Sequence, residues 1–254
     1  MGKKLPRHKS VYLLPNLLTT ASLFLGFLGL TWAIKGDFVT CSLCILGSCV
    51  FDGLDGKVAR ITGATSEFGV QLDSLADLVA FGVVPGTMVY LWMLHDFGRL
   101  GLMAAFLFLA CGALRLARFN VQAATSSKKH FVGLPIPAAA CTLATLVLFT
   151  QYIPEHFIHS ALPICTLVLV YVLSFFMVSS IRFYSFKEIS AFKAHPFSWM
   201  VTAILVFSLV ASRPKVLGFI IFLGYLISGP LYTLFLLSRR NKRLLRDKSS
   251  EELG

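Results

Sequence analysis

Four aspartates in one short stretch, Asp52, Asp55, Asp73 and Asp77, are the side chains whose type and spacing point to chemistry. They occur in Asp52-Gly-Leu-Asp55-Gly56-Lys-Val-Ala59-Arg60 and, eight residues later, in Gly69-Val-Gln-Leu-Asp73-Ser-Leu-Ala-Asp77. Apolar sequence flanks the stretch on both sides, and carboxylates in or near hydrocarbon are expected to be paired, metal-bound or functional. Four acids without four nearby bases predict divalent cations, and clustered divalent cations suggest phosphate chemistry.

Asp52 and Asp55 are three apart, and Asp73 and Asp77 four apart, so on helices each pair shares a face. A short loop between two such helices makes them antiparallel neighbours and lets all four carboxylates converge. Gly56, Ala59 and Gly69 fall on or near these faces, where small residues admit a backbone or a bulky substrate. Bare, four carboxylates in one low-dielectric pocket repel; two Mg²⁺ or Mn²⁺ ions would remove the repulsion and clamp a pyrophosphate. Arg60 adds a permanent positive charge with fork geometry suited to phosphate, and Lys57 reads as a topogenic loop base. Three other readings stand beside this one. Asp73 could be a helix N-cap, the acids could form the cation or proton site of a transporter, or they could be solvated loop acids.

The elements that must position these acids are membrane helices. The 254-residue chain is 56% apolar and 14% charged, with several apolar runs near the ~20 residues that cross a bilayer. These features predict an all-α, polytopic helix bundle in one integral-membrane domain over 1–254, with a basic arm at 1–11 and a basic tail at 238–254. About eight spans are expected, at 12–33, 38–59, 70–94, 100–117, 136–153, 161–178, 198–212 and 216–237. The first run is long for a cleaved signal and is read as a span. With eight spans, 19 of the 23 lysines and arginines fall on the side of the termini and the Asp-rich loop. That bias predicts cytoplasmic termini, a cytoplasmic acidic site and residence in a cell inner membrane. The tail bases, Arg239 to Arg246, suit anionic head groups, and no aromatic residues interleave with them as nucleic-acid binding would require. Cys41 and Cys44 have zinc-knuckle spacing but no second pair, and all six cysteines read as packing residues in apolar runs.

The pattern Asp52-x2-Asp55-Gly56-x2-Ala59-Arg60-x8-Gly69-x3-Asp73-x3-Asp77 resembles the full signature of the CDP-alcohol phosphotransferase family. Its specified positions coincide by chance with odds on the order of 10⁻⁷ at average residue usage. Leu14-Pro-Asn-Leu-Leu18, Ser66-Glu-Phe-Gly69, Arg115-Leu-Ala-Arg118-Phe-Asn120 and Gly133-Leu-Pro-Ile-Pro137 are similar to the membrane-integral phosphatidylserine synthases of that family. The resemblance implies transfer of a phosphatidyl group from CDP-diacylglycerol to L-serine, releasing CMP. It implies Asp52, Asp55 and Asp73 as the principal metal ligands, with Asp77 as general base and a possible ligand of the second metal. Gly56, Ala59, Arg60 and Gly69 would then lie along CDP-diacylglycerol, and the family suggests a homodimer. Arg118 and Asn120 are candidates to grip a serine carboxylate or the lipid phosphate, and Arg115 is either a third such group or a positive-inside anchor. Another acceptor, glycerol 3-phosphate or an inositol phosphate, stays open, because Lys128 and Lys129 could meet a phosphorylated alcohol.

Overall fold

In the computed structural model, residues 13–63, 66–125, 133–181 and 216–233 are described. Among them every regular element is helical. The long helices are α1 (Leu13–Ile34), α2 (Phe38–Thr62), α3 (Glu67–Trp92) and α4 (Arg99–Thr125). They are followed by α5 (Ile136–Phe149), the short α6 (Glu155–Ser160), α7 (Leu162–Val178) and α8 (Val216–Thr233). Five helices are long and apolar enough to cross a membrane, and Ile136–Tyr152 and Leu162–Val178 are shorter apolar ones. This is the polytopic helical architecture that the composition predicts. Seven of the eight expected spans coincide with these helices; the seventh, 198–212, lies outside the described residues, as do the arm and the tail.

Local chemistry sets the helix ends. Asp37 caps α2: its carboxylate accepts from the Thr40 amide at 2.9 Å and the Thr40 hydroxyl at 2.7 Å, which holds its carboxyl below the usual carboxylate range. At the other end Gly63 turns left-handed at φ 61° and donates its N–H to the Ala59 carbonyl. Ser66 then caps α3, its hydroxyl accepting from the Gly69 amide at 3.0 Å. The connection is therefore tighter than the expected spans imply, because α2 runs on to Thr62 and α3 begins at Glu67. Polar and charged residues end a hydropathy window, but they do not end a helix whose backbone hydrogen bonds continue. The same reason carries α4 past the expected end at 117 to Thr125. Within α3 a single π turn spans Val79–Val83, beginning two residues after Asp77. Such turns often sit beside functional positions.

The core is centred on α5, whose residues from Ala139 to Leu148 are all buried. A helix apolar on every face belongs inside a bundle, and this one is enclosed by α2, α3 and α7. Pro135 stands at its N-cap and Pro137 in its first turn, where neither missing amide matters. Large apolar side chains on the outer faces, among them Phe24, Phe27, Leu43, Val50 and Phe106, are exposed, as lipid-facing residues would be. Phe219 of α8 stacks on Phe149 with ring centroids 5.1 Å apart, whereas the Val178 carbonyl is bound by Arg118 at the other end of the bundle. Val178 and Val216, which bracket the undescribed span, thus lie toward opposite ends.

Candidate active site

The antiparallel α2 and α3 bring their aspartates together at one end of the bundle. Asp52, Asp55 and Asp73 each offer an oxygen, and these three atoms lie within 4.8 Å of one another. Asp55 is buried and the other two are half-buried. Among the described residues this is the single group of three or more side chains able to hold a metal, so Cys41 and Cys44 form no such site. Asp77, one turn beyond Asp73, stands outside the trio but is in hydrogen-bonding contact with the Asp52 carboxyl. Asp73 sits two turns inside α3 and caps nothing; Ser66 holds that position.

Among the described residues none of the four acids is in an ion pair, and the one ion pair there, His95 with Asp96 at 3.1 Å, is elsewhere. The donor set fits a hard divalent cation. Oxygens on an octahedral Mg²⁺ are about 3 Å apart when adjacent and about 4.2 Å when opposite, so the three carboxylates would draw closer to share one ion. Three carboxylates packed this closely, none of them in an ion pair among the described residues, are more readily explained by a cation than by packing.

Neighbouring residues give the trio a wall and an opening. On the wall, the Thr19 hydroxyl of α1 donates to Asp55 Oδ2 at 2.7 Å, and one turn deeper Ser22 and Ser48 exchange hydroxyl-to-carbonyl bonds of 3.1 and 2.9 Å. On the open side, a Cβ built on Gly53 would meet nothing within 4 Å. The guanidinium of Arg60 folds back along the helix to within about 4 Å of where a Gly56 Cβ would lie. Ala59 is half-buried in the last turn of α2. Gly69 packs between Ser66 and Asn16, whose side-chain oxygens would lie 3.1 and 3.3 Å from an added Cβ.

The three α4 residues singled out in the sequence, Arg115, Arg118 and Asn120, differ in their surroundings. Arg115 is buried at 9% exposure, and its Nε is a buried donor with no hydrogen-bond partner. The groups acting on it electrostatically are Asp77, Arg118 and the Tyr225 hydroxyl of α8. Such burial is unlike a solvated topogenic anchor. Arg118 donates from Nη1 to the Val178 carbonyl at 3.0 Å, stapling the end of α7. Gly133 completes that staple. It holds φ at 87°, its amide donates to the Ile181 carbonyl at 2.9 Å, and a Cβ there would lie 2.5 Å from the Met177 carbonyl oxygen. Asn120 donates from Nδ2 to the Ser74 hydroxyl at 2.9 Å. The lysines at 128 and 129 lie outside the described residues.

Reading the sequence did not single out Thr19, Ser74 or Tyr225. Thr19 follows the noted Leu14–Leu18 stretch, and its spacing from Pro15 is the one available hint. Tyr225 carries no local signal, since its relation to Arg115 is purely tertiary.

The family model for CDP-alcohol phosphatidyltransferase matches residues 12–172. The chain belongs to that family. Over 228 residues it is 39% identical to a CDP-diacylglycerol–serine O-phosphatidyltransferase of Helicobacter pylori, covering 89% of this chain and 93% of that one. It is also 43% identical over 137 residues to a protein of the same name from Methanocaldococcus jannaschii, covering 54% of this chain and 59% of the relative. An archaetidylserine synthase of Methanothermobacter thermautotrophicus is 39% identical over 141 residues, covering 55% of this chain and 59% of its own.

Proposed function

We propose that this protein is a CDP-diacylglycerol–serine O-phosphatidyltransferase of phospholipid synthesis. The observation that carries the reading is the trio of carboxylate oxygens within 4.8 Å, beside Asp77, in a chain of this family. Serine as acceptor is supported by the relatives: the names of all three contain it, although they differ in the lipid that receives it. Glycerol 3-phosphate and inositol phosphate lose ground accordingly.

In the proposed reaction the serine hydroxyl attacks the phosphatidyl phosphorus of CDP-diacylglycerol. The new O–P bond forms as the pyrophosphate O–P bond breaks, and CMP leaves as a phosphate monoester. Asp77 accepts the hydroxyl proton, which suits a carboxylate set beside the trio rather than within it. Two divalent cations, Mg²⁺ or Mn²⁺, held by Asp52, Asp55 and Asp73 with Asp77 bordering the second, would neutralise the pyrophosphate and the departing CMP. Arg60, folded over Gly56, would meet a phosphate oxygen, and the open ground at Gly53 would leave room for the nucleotide. Ala59 and Gly69 keep the flanking surfaces low.

The buried Arg115, with its unsatisfied Nε, is the best-suited group for the serine carboxylate, and this differs from the expected use of Arg118 and Asn120. Those two hold the frame around the pocket. The site faces the cytoplasm of an inner membrane in this reading, the tail contacts anionic lipid, and the enzyme works as a homodimer. Purified protein given CDP-diacylglycerol and radiolabelled serine should form labelled lipid and CMP. Label entering lipid only from glycerol 3-phosphate or an inositol phosphate would move the acceptor assignment. Serine-independent cation uptake into vesicles, without lipid synthesis, would favour a transporter instead.

A further inference from the structure

We propose that Thr19 is the positioning residue for Asp55, so that the first helix, which contributes none of the four acids, sets the geometry of the acidic site. This rests on the reading of Asp52, Asp55 and Asp73 as a divalent-cation site. Thr19 is 5% exposed and its hydroxyl has two acceptors in reach, Asp55 Oδ2 at 2.7 Å and the Pro15 carbonyl at 3.1 Å. A hydroxyl has one proton to give. The shorter contact goes to the group that carries charge, and charge-assisted O–H···O⁻ bonds are the shorter and stronger kind.

Other hydroxyls of this protein show what an undisturbed back-bond looks like. Thr20, Ser42, Thr62, Thr142, Thr145 and Ser174 each reach the carbonyl four residues back at 2.7–2.8 Å, and Ser74, whose hydroxyl also accepts from Asn120, does so at 3.0 Å. At 3.1 Å the Thr19 back-bond is the longest of these, and its contact with the carboxylate, at 2.7 Å, is the shorter of its two. The helix delivering it is itself fixed: the reciprocal Ser22–Ser48 bonds lock α1 against α2 one turn below. With Oδ2 held from α1, the Asp55 carboxylate is oriented within the cluster it forms with Asp52 and Asp73. A ligand carboxylate oriented this way loses less rotamer freedom on binding a cation, and removing such a partner typically costs roughly 10- to 100-fold in metal affinity.

The test is a Mn²⁺ titration of full-length purified protein in detergent, followed by the electron paramagnetic resonance signal of free Mn²⁺. Thr19→Val, which keeps the shape and removes the hydroxyl, should raise the Mn²⁺ Kd roughly 10- to 100-fold. Thr19→Ser should restore native affinity, and adding Thr19→Val to Asp55→Asn should weaken binding no further than Asp55→Asn alone. Melting of the metal-free protein separates the alternatives, because a merely structural Thr19 would lower that melting temperature and leave the Kd unmoved. Should valine disturb packing, Thr19→Ala gives the same comparison. Native Mn²⁺ affinity in Thr19→Val and Thr19→Ala, with Asp55→Asn weakened, overturns this proposal and leaves the aspartate site standing. Absence of Mn²⁺ binding by the native protein, or an unchanged Kd in Asp55→Asn, overturns the metal site itself.

Discussion

The side-chain amide of Asn120 donates a 2.9 Å hydrogen bond to the hydroxyl of Ser74, joining α4 to α3 at the residue between the two aspartates of that helix. Ser74 follows Asp73 directly, so this bond fixes the azimuth of α3 against the helix that also carries Arg115. With the Arg118–Val178 staple, it gives Arg118 and Asn120 helix-to-helix partners, while the Arg115 Nε has none among the described residues.

That division predicts different phenotypes along one helix. Arg115→Gln should raise the serine KM tenfold to a hundredfold with little change in the CDP-diacylglycerol KM, since a charge-assisted bond to a carboxylate contributes roughly 1.5–3 kcal/mol. Ethanolamine, lacking the carboxylate, should be a very poor acceptor for the native enzyme and less disfavoured by the variant. Arg118→Ala and Asn120→Ala should lower the melting temperature and move both KM values together. Steady-state kinetics with each substrate varied in turn decides the matter; a serine-specific defect in Arg118→Ala alone would return the acceptor pocket to Arg118.

Asp77→Asn should reduce transfer by several orders of magnitude while CDP-diacylglycerol binding persists. Its place beside the trio, in contact with Asp52 but outside the 4.8 Å cluster, motivates the expectation. Equilibrium binding of the lipid nucleotide, measured beside turnover, checks it. Lost binding with proportionate residual chemistry would make Asp77 chiefly a ligand.

Metal removal should silence the enzyme, and Mg²⁺ or Mn²⁺ should restore it. Asp52→Asn should shift the activating-metal titration to higher concentration, because it removes the charge of one of three converging carboxylates. An unchanged titration in that variant counts against the ligand assignment.

The orientation is testable without any substrate. In a variant freed of its native cysteines, Glu67→Cys at the start of α3 should react with an impermeant maleimide from the cytoplasmic side. Asp96→Cys, in the turn at the opposite end with its side chain 78% exposed, should react only from the other side. The reverse pattern would invert both the charge-based topology and the placement of the acidic site.

The sequence by itself determined the class of the fold, the position of nearly every described span and the identity of the four acids. Each is a local property: hydropathy over about 20 residues marks a span, and spacings of three and four put Asp52 with Asp55 and Asp73 with Asp77 on shared faces. Tertiary structure alone decided which helix ends meet. No periodicity announces that Thr19 reaches Asp55 across 36 positions, that Asn120 meets Ser74 across 46, or that Arg118 closes on Val178 across 60. Arg115 and Arg118 are the same residue type three positions apart, so nothing local separates a buried guanidinium with an unsatisfied Nε from one that caps a neighbouring helix. The difference arises because one turn of α4 faces Asp77 and Tyr225 while the next meets the end of α7. Packing between helices sets those neighbours, and packing is the part of the free energy that a single chain's pattern does not display.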